Sequence, residues 1–207
     1  MTTASEPTVF VVDDDDAVRG SLRWLIESVG LRVETYGSAR EFLAAYDPVR
    51  PGCLVLDVRM PGMSGLDLQD RLALLQYAPP TIIISGHGDV PMAVRAMKGG
   101  AVDFVQKPFN DQVLLDCIQR ALERDDRERR DQVRRASVGT LLARLTPRER
   151  EVMDRMIAGM PSRAIAADLG IRPRTVESHR ASVMEKMRAE SISELVRMVL
   201  SVSEDTK

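Results

Sequence analysis

Short apolar runs alternate with helical patterns over residues 8–122, and this alternation restricts the possible folds more than any other feature. Two runs, 54–56 and 82–84, are apolar at every position, as strands buried on both faces of a parallel sheet must be. Ser38 and Glu41 form a capping box at the start of one intervening helix. The pattern predicts a (βα)5 domain of the α/β class. The predicted strands are residues 9–12, 32–36, 53–56, 81–84 and 102–105, and the predicted helices are 17–28, 39–45, 65–75, 90–98 and 111–122.

Charged and polar side chains stand where four of the predicted strands end. Asp13 and Asp14 follow the first strand, Asp57 follows the third, Ser85 follows the fourth and Lys107 comes soon after the fifth. Ligands of open parallel sheets bind beyond the carboxyl ends of the strands. We therefore expect these five side chains to form one site at one edge of the sheet.

Length and charge indicate two domains of different character. A chain of 207 residues exceeds one domain of ordinary size. Residues 1–122 carry 11 Lys and Arg against 16 Asp and Glu, a net charge of −5, and the remainder carries 18 against 15, a net charge of +3. An acidic domain joined to a basic domain suggests a regulatory part joined to a part that binds nucleic acid.

The sequence gives no sign of a membrane span or an export signal. No apolar stretch reaches the roughly 18 residues that a membrane helix needs, and residues 1–8 lack the basic start and apolar core of a secretory signal. We therefore expect a cytoplasmic protein with no membrane partner. Cys53 and Cys117 lack the spacing of metal ligands and lie in apolar stretches, which predicts buried, reduced thiols.

The C-terminal part is predicted to hold four helices in a row. Thr146 and Glu149 form a capping box with Pro147 between them. Gly170 ends a short helix, and Pro173 starts a longer one. A short helix, a tight turn and a longer helix form a helix-turn-helix unit, which is typical of DNA binding.

A charged segment joins the two parts. Residues 123–135 mix both signs of charge and contain neither glycine nor proline. This composition favours a solvated helix that continues from Asp111 and leaves a flexible linker as the alternative. The predicted boundaries are therefore a first domain at 8–122, a charged linker at 123–140 and a second domain at 141–202.

One face of the longer helix, the recognition helix, is predicted to meet DNA. At 100° per residue, one side of the helix is expected to pack inward and carries Val176, Val183, Met184 and Met187. Arg180 falls among them, and we expect it to form a structural ion pair, with Glu149 as the candidate partner. Base edges are expected to meet Arg174, Glu177, Ser178 and Ala181, and phosphates are expected to meet Thr175, Ser182 and Lys186.

Several segments resemble one known family. The segments VVDDDD, LVLDVRMPGMSG, IIISGHGD and FVQKPF are similar to the receiver domain of response regulators, particularly the FixJ-like group, over residues 8–122. The segments LTPREREVM, IAADLGI and RTVESHRASVMEKM are similar to the LuxR-type DNA-binding domain over residues 141–202. The resemblance implies a flavodoxin-like receiver with a parallel sheet of strand order 2-1-3-4-5, followed by a small all-α helix-turn-helix domain of four helices.

The resemblance also assigns roles to the residues at the sheet edge. Asp57 is expected to accept a phosphoryl group from a histidine kinase, and Lys107 is expected to pair with the acyl phosphate that results. Mg²⁺ is expected as the cofactor, because it binds one or two carboxylates together with phosphate oxygens and water. Its expected ligands are Asp14 and Asp57 directly, Asp13 largely through water, and a backbone carbonyl of Val58 or Arg59.

A switch and a dimer face are implied in the same way. Ser85 and Phe104 match the family's switch pair, in which the hydroxyl turns toward the phosphoryl group and the ring follows it inward. The peptide bond before Pro108 is cis in this family. Phosphorylation is expected to produce a homodimer through the face formed by residues 90–98 and 102–105, with Val94 and Lys98 as candidate contacts. At helical spacing, Val94 could equally be a core residue.

Simpler interpretations exist for some of these residues. The acidic run 13–16 could be a solvated turn that caps the first helix, and this is our interpretation of Asp15 and Asp16. His87 is interpreted as a polar loop residue because no second histidine lies near it in sequence. Arg172 stands at the predicted N-cap of the recognition helix, where the family often has serine, and loss of such a cap costs about 1 kcal/mol.

The leading hypothesis is a phosphorylation-activated transcriptional regulator of a two-component system, whose receiver dimerises and whose second domain binds promoter DNA. One alternative is a phosphorylation-independent DNA-binding or adapter protein, which the intact residue set at the sheet edge disfavours. Another is an Asp-nucleophile phosphatase, which is disfavoured because the sequence offers no second catalytic carboxylate. We therefore expect no enzyme activity other than the receiver's own phosphorylation and dephosphorylation.

Overall fold

A five-stranded sheet lies at the centre of the first part of the chain in the computed structural model, which describes residues 6–75, 77–86 and 90–203. The strands are β1 Thr8–Val12, β2 Arg32–Tyr36, β3 Gly52–Asp57, β4 Thr81–Ser85 and β5 Asp103–Gln106. All neighbouring strands are parallel, and their order is β2-β1-β3-β4-β5. The predicted (βα)5 pattern and strand order are therefore confirmed.

Helices cover both faces of this sheet: α1 Asp16–Ser28, α2 Ala39–Ala45, α3 Gly65–Leu72, α4 Val90–Lys98 and α5 Asp111–Leu142. Successive side chains of a strand point to opposite faces of the sheet, so β1 contributes side chains to two hydrophobic cores. Val9 and Val11 pack in a core with residues of α1 and α5. Phe10 packs on the other face with Phe42 of α2 and with residues of α3 and α4. Cys53 and Cys117 are buried and free, and burial raises the pKa of both thiols.

The observed element ends differ slightly from the predicted ends. Helix α1 begins at Asp16, and the Asp15 carboxylate accepts hydrogen bonds from the backbone N–H groups of Ala17 and Val18. This is the capping role expected for the second half of the acidic run. Helix α3 ends at Leu72, three residues before the predicted end. His87 lies outside the described residues.

Helix α5 runs without interruption from Asp111 to Leu142, so the helical alternative for the charged segment is the observed one. The chain divides into two compact units, Met1–Glu128 and Arg129–Lys207. Within the first unit, the buried Asp125 carboxylate accepts hydrogen bonds from the Gly52 backbone N–H (3.0 Å) and the Tyr77 hydroxyl (2.5 Å). Residues 123–128 therefore pack with the first unit. The predicted division of roles among 8–122, 123–140 and 141–202 stays a prediction.

The second unit contains the four predicted helices: α6 Pro147–Ile157, α7 Ser162–Leu169, α8 Pro173–Met187 and α9 Ile192–Ser203. The capping box of Thr146 and Glu149 is present at the start of α6. Gly170 ends α7 in the left-handed conformation, with a φ of 65°. The core of this unit includes Val152, Met153, Met156, Ile165, Val176, Val183, Met187 and Leu195. Across the three described ranges, no helix is long and apolar enough to cross a membrane.

Candidate functional site

Two buried carboxylates share one lysine at the carboxyl edge of the sheet. Asp13 and Asp57 are 1% and 6% exposed. The Lys107 ammonium donates to Asp13 Oδ2 at 2.6 Å and to Asp57 Oδ1 at 2.7 Å. The three residues lie at the ends of β1, β3 and β5, as the strand pattern predicted. Ionised, the three side chains carry one more negative charge than positive charge.

This excess of negative charge affects the acid–base properties of the site. Burial raises the pKa of Asp57 and the charge of Asp13 adds to the rise, while the hydrogen bond and charge of Lys107 oppose it. Burial lowers the pKa of Lys107, but its hydrogen bonds to the two carboxylates outweigh burial and the net pKa is raised. A site with these properties gains by taking up a further cation.

Backbone contacts fix the positions of the carboxylates. The Asp57 Oδ2 atom accepts from the Arg59 N–H at 2.6 Å, and Asp13 Oδ1 accepts from the Asp15 N–H at 2.9 Å. Gly65 lies so close to the end of β3 that an added Cβ would stand 2.1 Å from the Asp57 carbonyl oxygen. A side chain at position 65 would therefore displace the residue that carries the site.

Lys107 is fixed by its own backbone. Its N–H donates to the Ser85 carbonyl at 2.8 Å, and the following peptide bond, Lys107–Pro108, is cis as the resemblance implied.

The residues at this edge fit a cation that is bound by few protein groups. In the described ranges, no three His, Cys, Asp or Glu side chains are arranged to hold a metal ion by themselves. Mg²⁺ does not require such a cage, because it keeps several waters and takes one or two carboxylates. Asp14 is exposed at the rim beside the buried pair. Of the two candidate carbonyls, that of Val58 already accepts from the Gly65 N–H at 2.9 Å, which favours Arg59.

Ser85 and Phe104 lie on the same face of the sheet. In the β4–β5 register Ser85 is paired with Gln106 and Ile83 is paired with Phe104, so the two predicted switch residues are diagonal neighbours. Ser85 is buried, and its hydroxyl lies 3.8 Å from the Met92 sulfur of α4. Phe104 is half-buried and packs on the core beneath α3 and α4. Ser85 therefore contacts α4, and Phe104 packs in the core that also contains residues of α4.

Helix α4 presents an apolar face to solvent. Val90, Val94 and Met97 follow helical spacing, and all three are exposed; Val94 is 45% exposed. Lys98 is exposed beside them, whereas Ala96 is buried. The interpretation of Val94 as a core residue is therefore wrong, and its side chain is available on the surface of the unit.

The rotation of α8 agrees with the prediction. Val176, Val183 and Met187 are buried in the core of the second unit. The four predicted base-edge residues, Arg174, Glu177, Ser178 and Ala181, are all exposed, and so is Thr175. Pro173 stands at the start of the helix, and Arg172 at the N-cap makes no side-chain capping bond.

Glu149 meets different residues of α8 from the one predicted. Its carboxylate accepts from Ser182 Oγ at 2.5 Å and from Lys186 Nζ at 2.6 and 2.8 Å. The prediction that Arg180 pairs with Glu149 is therefore wrong. It failed because helical periodicity gives the direction of each side chain about the axis of α8 but does not give the side of α8 on which α6 lies.

Ser182 and Lys186 were predicted to face phosphates, but their polar atoms are directed at a buried carboxylate instead. The Lys186 and Ser182 hydrogen bonds, followed by that of the Thr146 backbone, lower the pKa of Glu149 to about 2. Sequence reasoning identified Glu149 as a capping residue from the spacing T-P-R-E. It contained no signal for the contact with Lys186, which lies 37 residues further along the chain.

Comparisons with known proteins agree with this geometry. Residues 9–119 match the family described as the response regulator receiver domain, and residues 143–199 match the family described as bacterial regulatory proteins, luxR family. The chain belongs to the response regulators and joins a receiver domain to a LuxR-type helix-turn-helix domain. It is a phosphorylation-activated transcription regulator and not a classical enzyme. A kinase and DNA are the partners that this class implies.

Individual relatives are similar along most of the chain. Nodulation protein W of Bradyrhizobium diazoefficiens is 51% identical over 195 residues, which are 94% of this chain and 86% of the relative. Transcriptional regulatory protein FixJ of Rhizobium meliloti is 48% identical over 194 residues, 94% of this chain and 95% of the relative. The solved structure of the response regulator StyR matches this chain with a TM-score of 0.82 at 44% identity. The match covers 95% of this chain and 99% of the StyR chain.

Proposed function

We propose that Asp57 is the phosphoacceptor of this response regulator. The observation that carries the proposal is the buried Asp57 carboxylate at the end of β3, held by Lys107 at 2.7 Å beside a second buried carboxylate, Asp13. In the reaction, an Asp57 oxygen forms a bond to phosphorus while the N–P bond of the kinase's phosphohistidine breaks and the imidazole nitrogen leaves. Lys107 stabilises the negative charge that gathers at the acceptor side.

We infer that Mg²⁺ is the cofactor of this step. When bound, it neutralises negative charge on the transferring phosphoryl group. The groups that would hold it are the carboxylates of Asp13, Asp14 and Asp57 and the backbone carbonyl of Arg59. The excess negative charge at the site supports this assignment, and so does the raised pKa of Asp57, which burial and Asp13 cause. The same residues would serve the receiver's own dephosphorylation.

Ser85 and Phe104 are proposed as the switch between the two states. The hydroxyl can donate a charge-assisted hydrogen bond to a phosphoryl oxygen only after phosphorylation, so this bond can shift an equilibrium between two conformations. When the Ser85 hydroxyl turns toward the phosphoryl group, the Phe104 ring would move into the space that the hydroxyl had occupied near Met92. Both residues adjoin α4, whose exposed apolar face at Val90, Val94 and Met97 is the surface that we propose for homodimerisation, with Lys98 at its edge.

The exposed face of α8 is proposed as the DNA-reading surface. Arg174, Glu177, Ser178 and Ala181 would contact base edges, and Thr175 would contact a phosphate. Dimerisation would present two such helices to two half-sites and raise the effective concentration of the second helix once the first is bound.

The test is phosphorylation of the full chain by acetyl phosphate in the presence of Mg²⁺. We expect one added phosphoryl group by intact mass, tighter DNA binding, and loss of both in Asp57→Asn. Asp47→Asn is a matched control, because Asp47 is an exposed acid of the same unit. The proposal is wrong if Asp57→Asn still dimerises and gains DNA affinity with the phosphodonor.

A further inference from the structure

Glu149 has an unusual position for a carboxylate in the first turn of a helix. Only 5% of the residue is exposed, although it belongs to the capping box of α6. Its Oε2 atom accepts from the Thr146 backbone N–H at 2.8 Å, as an ordinary capping box requires. The same carboxylate also receives Ser182 and Lys186, which are 33 and 37 residues away.

The two partners on α8 stand four residues apart, so they lie one above the other on a single face of the helix. Two contacts one turn apart fix both the rotation of a helix about its axis and its position along that axis. The apolar contacts of Val176, Val183 and Met187 also orient α8, but apolar packing has no preferred direction, so the two polar contacts add a constraint that the core does not supply.

Within the described residues, the N-terminus of helix α8 lacks a side-chain cap. Arg172 at its N-cap makes no side-chain capping hydrogen bond, and Pro173 supplies no backbone N–H. The proposed reading residues lie in the N-terminal part of this helix. Their direction therefore depends on contacts further along α8, which include those of Ser182 and Lys186 with the Glu149 carboxylate.

We infer that Glu149, through Ser182 and Lys186, is a positioning residue for DNA recognition. The carboxylate holds α8 at the rotation in which Arg174, Glu177, Ser178 and Ala181 face the base edges. Ser182 and Lys186 act on this carboxylate and not on phosphates. This inference rests on the DNA-reading surface proposed above.

The two roles of Lys186 predict different results in a salt series. A lysine that contacts a phosphate adds about one unit to the slope of log affinity against log salt concentration, and its loss weakens binding to every sequence alike. A lysine that positions the helix leaves the slope unchanged, and its loss weakens binding to the preferred sequence more than binding to others.

The experiment uses the full chain treated with acetyl phosphate and two DNA duplexes. One duplex is enriched from a random pool by the wild-type chain, and the other is a scrambled duplex of the same composition. Affinities for both are measured over a range of salt concentrations for Lys186→Gln, Ser182→Ala, Ser182→Thr, Glu149→Gln and the double variant of Glu149 and Lys186. Circular dichroism at the assay temperature verifies that each variant is folded.

For Lys186→Gln and Glu149→Gln we expect binding to the enriched duplex to fall by roughly tenfold or more, the scale of one well-placed base contact. Binding to the scrambled duplex should fall by less than about threefold, and the salt slope should change by less than about half a unit. The double variant should lose little more than either single variant, because the two residues act through one contact. Ser182→Thr keeps the hydroxyl and should recover the discrimination that Ser182→Ala loses.

Two results would overturn the inference. One is an equal loss on both duplexes with a salt slope lower by about one unit in Lys186→Gln, which identifies a phosphate contact. The other is unchanged discrimination in all the variants. Should Glu149→Gln fail to fold, Ser182→Ala and Lys186→Gln decide the question by the same criteria. A wild-type chain that enriches no sequence would instead contradict the proposed DNA-reading surface.

Discussion

Each of the two units of this protein contains a cluster in which a lysine binds buried carboxylate. The two clusters differ in their balance of negative and positive charge. In the first unit one lysine, Lys107, serves two carboxylates, and burial with the charge of Asp13 raises the pKa of Asp57. In the second unit one carboxylate, Glu149, receives a lysine and neutral donors, and these lower its pKa to about 2. The first cluster therefore has more negative charge than positive charge, whereas in the second cluster the lysine compensates the charge of the carboxylate.

This difference explains why one cluster suits chemistry and the other suits structure. A carboxylate with too little compensation stays responsive to an incoming cation or phosphoryl group. A carboxylate with several donors gains nothing from a further ligand, and its contacts serve to hold two helices in register.

Removal of Lys107 should have the largest effect. Lys107→Met removes the cation that pairs with the two buried carboxylates, and breaking a buried ion pair costs about 3 kcal/mol or more. We expect a loss of this size in the free energy of unfolding at neutral pH, and a partial recovery on addition of Mg²⁺. Urea unfolding followed by fluorescence of Trp24 measures it, because this is the single tryptophan of the chain and it lies in the first unit.

The exposed Lys98, changed to Met, is the control for the loss of a lysine as such. A loss below about 1 kcal/mol in Lys107→Met, the level of an exposed pair, would mean that the first cluster tolerates its charge without the lysine.

Glu149→Gln should have the next largest effect. Hydrogen bonds to a charged group contribute about 2 kcal/mol, and the amide loses the charge that Lys186 requires. We expect the second unit to unfold at lower urea concentration by far-UV circular dichroism, while the Trp24 transition is unchanged. Glu151→Gln on the same helix is the control: Glu151 is exposed and pairs with Arg148, and such surface pairs contribute less than about 1 kcal/mol. Equal effects of the two substitutions would contradict the role given to Glu149.

Acid should remove the difference between wild type and Glu149→Gln. The pKa of Glu149 is lowered from an ordinary value of 4.5 to about 2 in the folded protein by Lys186, Ser182 and Thr146. Its contribution to stability is therefore complete above pH 4.5 and is lost as the pH falls toward 2. Unfolding curves of the two proteins, recorded across this range, should converge at the acid end. A gap that stays constant with pH would show that the charge of Glu149 is not the source of its stabilising effect.

The sequence allowed the first cluster to be predicted and the second only in part. Strand periodicity places Asp13, Asp57 and Lys107 at one sheet edge, because all parallel strands end on the same side. The contact of Glu149 with Lys186 depends on how α6 and α8 pack, and helical periodicity does not contain that distance. The same limit explains why Arg180 was chosen in place of its neighbours, and why the burial of Asp125 on a charged helix was not anticipated.

The two clusters should respond with opposite signs when a carboxylate is replaced by an amide. Asp57→Asn removes the negative charge that Lys107 leaves uncompensated, relieves the repulsion from Asp13 and preserves the ion pair of Asp13 with Lys107. We therefore expect the first unit to become more stable, by up to about 1 kcal/mol, since burial of an incompletely paired charge opposes folding. The measurement is again the Trp24 transition in urea, without divalent cations, with Asp47→Asn as the exposed control.

The same exchange of carboxylate for amide at Glu149 should destabilise its unit. Opposite signs would establish that the carboxylates of the first cluster are only partly compensated by positive charge, whereas Glu149 is fully compensated by its donors. If Asp57→Asn were destabilising as well, both clusters would be structural ion pairs of one kind, and the charge deficit would no longer account for the reactivity proposed for Asp57.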